Sequence, residues 1–222
     1  MKRYRFSKKN KSLVSCGGSL ILTFLLINQS FLVYGLASLE LLTGDTSANI
    51  QWTDSSSKIS YTGSRVRLAS HYEPVADFPV SIGLVYDYPE VTDGDSQIEG
   101  GLIEFQVRSW RRVFFPRTSL YGSISSAFWG RYRIDLNDSE QNQKGYLDLW
   151  ASGFRAGFGL IYYPLPVVNV LFEYLVAEDR LTTLGIHSMS EKEDGSNEMN
   201  KKYRDGGVLT STALFLGLQI RI

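Results

Sequence analysis

"GVLTSTALFLGLQIRI", Gly207 to Ile222, sets Leu214, Leu216, Leu218, Ile220 and Ile222 against Ala213, Phe215, Gly217, Gln219 and Arg221. Strict period-two alternation is the mark of a β-strand with two chemically different faces. One face here is entirely aliphatic, and the sequence ends inside the pattern, so something other than later chain is expected to cover it.

Working outward, the same alternation returns along the chain, rich in Val, Ile, Leu, Phe, Tyr and Trp. It predicts eight strands, roughly Leu39 to Thr53, Ile59 to Glu73, Phe78 to Tyr88, Gln97 to Val113, Arg117 to Leu136, Tyr146 to Tyr163, Val167 to His187 and Val208 to Ile222. The connections alternate in kind. "TDSSSK" (53–58), "PEVTDGDSQ" (89–97), "NDSEQNQKG" (137–145) and "SMSEKEDGSNEMNKKYRDGG" (188–207) are polar and mostly long. "PVAD" (74–77), "FFP" (114–116) and "PLP" (164–166) are short and each holds a proline. Successive antiparallel strands place all long loops at one end and all tight turns at the other, the layout of an all-β, eight-stranded antiparallel up-and-down transmembrane β-barrel.

Composition of the whole chain hides a leader. Lys2, Arg3, Arg5, Lys8, Lys9 and Lys11 precede the mostly apolar "SLILTFLLINQSFLVYG" of Ser19 to Gly35. A basic segment, an apolar segment and small residues at Gly35 and Ala37 predict a cleaved signal peptide over 1–37, with the barrel occupying 38–222. "LVSC" at Leu13 to Cys16 has lipobox letters, but its apolar stretch follows the cysteine; an uncleaved membrane helix is the other reading, and Gly17, Gly18, Asn28, Gln29 and Ser30 interrupt it. Cleavage removes six of 23 basic residues and no acid, leaving 17 against 23 and a formal charge of −6. Cys16 is the sole cysteine, so the mature chain has no disulfide and no cysteine cluster for zinc; nor does it carry a basic surface for nucleic acid. No cofactor is expected.

Two faces emerge from the alternation. Ile50, Trp52, Val66, Leu68, Ile82, Leu84, Phe105, Ile124, Phe128, Phe154, Phe158, Phe172 and Val176 join the terminal Leu and Ile set on one. Asp45, Arg65, Arg67, Asp87, Glu104, Arg108, Arg131, Arg155 and Glu173 fall on the other, among small residues such as Ala69, Ser81, Gly83, Ser123, Ser125, Gly153, Gly157 and Gly159. The inside of an eight-stranded barrel has room only for its own side chains, so the face carrying the small residues is the lumen. The apolar face then meets lipid, which answers the opening question, and closure removes both sheet edges. A soluble lipocalin-like barrel reverses the faces. Against it, Lys58, Lys144, Lys192, Lys201 and Lys202 all fall in loops, while the bases of the strands are arginines.

This pattern resembles the small eight-stranded bacterial outer-membrane proteins of the OmpA transmembrane-domain and OmpX type, over essentially the whole mature chain. The resemblance implies an outer-membrane location with both mature termini periplasmic. It also implies outer-membrane lipid and lipopolysaccharide as surroundings, the barrel-assembly machinery as a partner in biogenesis, and long loops that meet an extracellular partner. Two departures stand out. Such proteins usually end in an aromatic residue, whereas this chain ends Arg221-Ile222 with Phe215 seven positions earlier, and no second domain follows to carry a peptidoglycan-binding function.

Within the lumen, Asp45, Asp87, Glu104 and Glu173 face Arg65, Arg67, Arg108, Arg131 and Arg155, a near-balance that predicts a salt-bridged plug in place of an open channel. Glu104 or Glu173 with Arg108 or Arg155 are the expected pairs, and a gate that exchanges partners is the functional alternative. Trp52, Tyr72, Tyr86, Tyr88, Trp150, Tyr162 and Tyr163 read as interfacial girdle aromatics. His187 with Ser188, Ser190 and Glu191 holds the residue types of a nucleophile, base and orienting acid, as in lipid A-modifying barrels, but it runs into a loop that nothing obvious holds rigid. His71 beside Glu73 reads as a lumen or turn residue. The reading is a non-enzymatic membrane barrel, with lipid modification, narrow conduction and soluble lipid carriage as rivals.

Overall fold

The computed structural model describes residues 36–53, 58–74, 79–94, 96–138, 143–188 and 203–222. Residues 1–35 of the predicted leader and most of the long loop after residue 188 lie outside them. Eight strands, β1 (Leu36–Trp52), β2 (Lys58–Glu73), β3 (Val80–Thr92), β4 (Gln97–Arg112), β5 (Thr118–Asp138), β6 (Gln143–Tyr162), β7 (Val168–Ser188) and β8 (Gly207–Arg221), close in sequence order into one antiparallel barrel.

The ladder fixes its shape. Stepping between partners from Ser38 through His71, Gly83, Gln106, Ser125, Arg155, Ala177 and Ser211 returns to β1 at Ala48, ten residues above the start. A stagger of that size in eight strands tilts them by about 40° and leaves a lumen that side chains fill. The seam between first and last strands is fully paired from Ser38↔Arg221 to Trp52↔Gly207. At its top the Thr53 N–H and hydroxyl both donate to the Gly206 carbonyl at 3.1 Å. Gly206 sits at φ +69°, and a Cβ there would lie 2.0 Å from the Leu181 carbonyl oxygen, so this corner requires glycine.

Several strands run further than their sequence suggests, β1 among them, which starts at Leu36. β3 continues past Tyr88 to Thr92, although Pro89 has no N–H; its ladder to β4 breaks between Asp87↔Leu102 and Glu90↔Glu99 and then resumes in the same register. β5 and β6 extend to Asp138 and back from Gln143. Two bulges interrupt the alternation. On β5, Ala127 faces Glu104 while Trp129 faces Ile103, so Phe128 is an extra residue, and both Phe128 and Trp129 point outward. On β7 the extra residue is Leu184. Beyond a bulge the faces exchange parity.

Two storeys follow. Towards the short turns the barrel is apolar outside, with Leu41, Ile82, Phe105, Phe158, Phe172 and Leu218 exposed, and polar inside. Towards the long loops the faces are reversed. Ile50, Trp52, Tyr61, Val91, Ile98, Ile134, Leu147, Leu149 and Leu209 pack into one buried cluster, while Gln51, Thr62, Glu90, Arg131, Arg133 and Arg180 face out. One chain thus builds a lipid-type wall over half its height and a water-type wall over the other half. The same tilted strands run through both.

Candidate functional site

The lower storey encloses a network of buried ions. Arg65 grips Asp87 in two parallel bonds, Nε to Oδ1 at 2.8 Å and Nη2 to Oδ2 at 2.6 Å, and donates Nη1 to Ser211. Such a fork matches the planar guanidinium to the carboxylate and is worth more than a single contact. Arg67 reaches Glu104 at 3.1 Å and Glu173 at 3.2 Å. Arg155 places Nη2 at 2.6 and 2.8 Å from the Asp179 oxygens, and its Nε lies 2.9 Å from Glu104. Arg108 holds Glu40 through Nη1 and Nη2 at 2.5 and 2.9 Å, beneath the face of Tyr121 at 4.4 Å.

Hydroxyls complete the carboxylate shells. Ser125 donates to Glu104 at 2.6 Å, Tyr121 and Ser123 donate to Glu173 at 2.9 and 3.3 Å, and Tyr132 donates to Asp179 at 3.2 Å. Nearer the short turns, His71 Nδ1 stands 3.2 Å from Glu40 and Nε2 lies 2.7 Å from Gln106. Gln219 donates to Glu40 at 2.7 Å, and Arg221 clasps Glu73 at 2.9 Å. Several of these links join strands that are not neighbours in the barrel, β1 to β4, β2 to β7 and β4 to β6, so the lumen is crossed as well as lined.

Glycines make room for this. A Cβ on Gly157 would lie 2.3 Å from Glu173 Oε1 and 2.4 Å from the Ser123 hydroxyl; one on Gly153 would meet Asp179 Oδ1 at 2.5 Å.

Of the nine residues assigned to the lumen from sequence, Arg65, Arg67, Asp87, Glu104, Arg108, Arg155 and Glu173 are buried together there. Asp45 and Arg131 are not. Asp45 is exposed on the outer wall beside Leu214 and Ser64, because the even residues of β1 turn inward. Arg131 follows the β5 bulge, which moves it to the outside, where it pairs with Asp148 at 3.2 Å. Glu40 and Asp179 take their places among the ions. The alternation of Leu39, Glu40 and Leu41 carried the signal for Glu40, and Asp179 shares the parity of Glu173. Both were obscured, Glu40 by the apolar Ile50 and Trp52 of the same parity and Asp179 by its charged neighbours Glu178 and Arg180.

Trp52 is likewise corrected. It is buried inside the upper storey, edge-on to Tyr203 with centroids 4.8 Å apart, and is no girdle residue. Tyr72, Tyr86, Tyr88 and Tyr163 are half-buried and Tyr162 is exposed. Trp150 meets Trp129 edge-to-face at 6.2 Å on the outer wall. His187 is also on the outer wall, stacked on Tyr146 at 4.3 Å with Asp148 at 3.7 Å, and Arg133 covers the Tyr146 ring at 4.0 Å. Ser190 and Glu191 lie outside the described residues, as does the side chain of Ser188.

No protein-family model matches the chain, and no curated protein matches its sequence. Solved structures share its architecture. Neisserial surface protein A aligns with a TM-score of 0.54 at 13% identity, covering 84% of this chain and 99% of its own. Ail, the attachment invasion locus protein of Yersinia pestis, aligns at 0.42 with 14% identity over 86% of this chain and 100% of Ail. A major outer membrane protein from Thermus thermophilus aligns at 0.46 with 12% identity, covering 82% of this chain and 99% of its own. At these identities the likeness is one of fold, and the first of the three carries it: the chain has the fold of a small bacterial outer-membrane eight-stranded β-barrel.

Proposed function

We propose that this chain is an integral outer-membrane β-barrel without catalytic activity, which reinforces the envelope and offers its long loops to a partner. The observation that carries the reading is the inversion between storeys. An exposed belt of Leu, Ile, Val and Phe surrounds a lumen full of paired ions, which is stable only where lipid replaces water outside. Both mature termini, at the short-turn end, would then face the periplasm and the long loops the exterior. The lumen is closed twice, by cross-strand ion pairs below and by the Ile50, Trp52 and Leu149 cluster above, which supports a wall without an open pore.

The test is electrophoretic mobility of the segment Ser38 to Ile222, refolded in detergent and loaded in SDS with and without boiling. A heat-dependent shift is expected. Absence of a shift, together with solubility in plain buffer, overturns the membrane reading in favour of a soluble ligand carrier. His187→Ala is expected to leave the lipid A of expressing cells unchanged.

A further inference from the structure

The outer wall of the lower storey is uneven. On β5 and β6 the outward residues Ser126 and Ala156 are small, and the ladder surrounds them with large ones: Phe105 and Phe154 flank Ser126, while Ile124 and Val176 flank Ala156. The result is an apolar groove of about 590 Å³ sunk into the lipid-facing wall. Phe154, 75% exposed, stands at its upper end, with Glu178 paired beside it on β7.

Directly above, the chemistry changes. Arg180 is the ladder partner of Ser152, and Arg131 is the partner of Trp150, so two arginines bracket β6 from either side. Arg180 is exposed and has no ion-pair partner among the described residues. Arg131 gives Nη2 to Asp148 yet keeps 59% of its side chain exposed, so further N–H groups remain available. Trp129 and Trp150 lie beside them at the level where amphipathic rings favour lipid headgroups.

We propose that this groove and its arginine pair form a binding site for one phosphorylated glycolipid, with an acyl chain seated over Ser126 and Ala156. The proposal rests on the membrane reading above. Three features select the ligand. The groove is apolar and opens into the belt, so its occupant has a hydrocarbon chain. The two arginines stand on strands separated by β6 and two residues apart along it, so their backbones are roughly 12 Å apart at normal strand spacing and rise, a separation that suits a headgroup with anionic groups at two separate positions. Glu178, Ser152 and Thr182 add acceptors and hydroxyls that suit sugar O–H and amide N–H groups, and the Trp150 ring offers a sugar an apolar surface. Glu178 also disfavours a phosphate placed directly on it, so the anionic groups are directed to the arginines.

Native mass spectrometry of the refolded barrel with added bisphosphorylated lipid A tests this. One retained lipid per chain is expected, with retention at least tenfold weaker for lipid A stripped of its phosphates and for phosphatidylglycerol. Ala156→Leu, which fills the groove, and Arg180→Gln, an exposed change that leaves the fold intact, are each expected to reduce retention about tenfold; Leu84→Ala on the β3 wall is not. Wild-type retention by Ala156→Leu or by Arg180→Gln, or retention of the dephosphorylated lipid or phosphatidylglycerol equal to that of bisphosphorylated lipid A, overturns the proposal. Heat-dependent mobility of every variant is read alongside. Its loss marks failure of the barrel itself, whereas normal mobility with unaltered retention marks failure of the site alone.

Discussion

Arg67 on β2 lies 3.2 Å from Glu173 on β7, a contact that crosses the lumen between strands with no shared ladder. The same arginine reaches Glu104 on β4, so one side chain ties three parts of the wall. Its guanidinium is also 5.7 Å from the centre of the Phe215 ring, which places the aromatic of β8 inside the barrel and not at the lipid surface.

Breaking that contact on one side leaves an unpaired buried charge. Arg67→Met is expected to cost about 3–5 kcal/mol, and the loss should exceed that of any single exposed pair. Urea-dependent unfolding of the barrel in lipid vesicles measures it. A change below about 1 kcal/mol, the range of surface ion pairs, would show that water or a neighbouring cation replaces Arg67 freely.

Conduction should not follow from the same change. Above the ions, Ile50, Trp52, Tyr132 and Leu149 pack into a buried apolar layer, so Arg67→Met is expected to remain closed in planar bilayers. Steady conductance in this variant, absent from the wild type, would place the seal in the ion network instead.

Sidedness gives a sharper test at β1, where two acids lie five residues apart on opposite faces. Asp45 stands on the outer wall at the upper margin of the belt, where a charge costs about 0–1 kcal/mol, so Asp45→Leu should be neutral or slightly stabilising. Glu40→Leu strips Arg108 of its two-bond partner and should lose roughly 3 kcal/mol or more. Unfolding midpoints of the two variants, compared in one lipid, read the difference. Equal losses would contradict the facing assigned to Asp45.

Strand number, strand order and the greater part of the ion network were legible from alternation and loop length, because one period-two rule governs each strand. It failed where that rule is interrupted or inverted. At Phe128 the extra residue shifts parity, so Arg131 reads as inward when counted from Ser123 and Ser125. No local residue announces the bulge, since a glycine is absent at the position itself. At Ile50 and Trp52 the parity is unbroken, but the environment outside changes from lipid to water, so apolar no longer means outward. Sequence alternation reports two faces and is silent on which solvent each face meets at a given height.

The bulge itself can be tested. With Phe128 removed, Ala127 and Trp129 become consecutive partners of Glu104 and Ile103, and Ser123, Ser125, Tyr132 and Ile134 all keep their facing; removing Arg133, a regular position, would instead turn Ile134 out of the upper core. The yield of heat-modifiable barrel on refolding should stay near normal for deletion of Phe128 and fall severalfold for deletion of Arg133. Equal yields would mean that the register of β5 slips without cost.

Gly157 supplies the last prediction. It faces the lumen opposite Glu173, and the carboxylate that binds Arg67, Tyr121 and Ser123 occupies the space a side chain would need. Gly157→Ala brings a methyl within 2.3 Å of Glu173 Oε1 and 2.4 Å of the Ser123 hydroxyl, so one of them must move. The serine can rotate, but the carboxylate is held by donors from β2 and β5, and shifting it lengthens bonds to buried charges. Gly157→Ala should therefore cost about 1–3 kcal/mol by overpacking, and Gly157→Leu should prevent closure. Pairing Gly157→Ala with Glu173→Asp, which shortens the acid by one methylene, should recover part of the loss if the carboxylate is the obstacle. If the double variant is as unstable as the sum of the two single changes, the crowding arises from the Ser123 hydroxyl and not from Glu173.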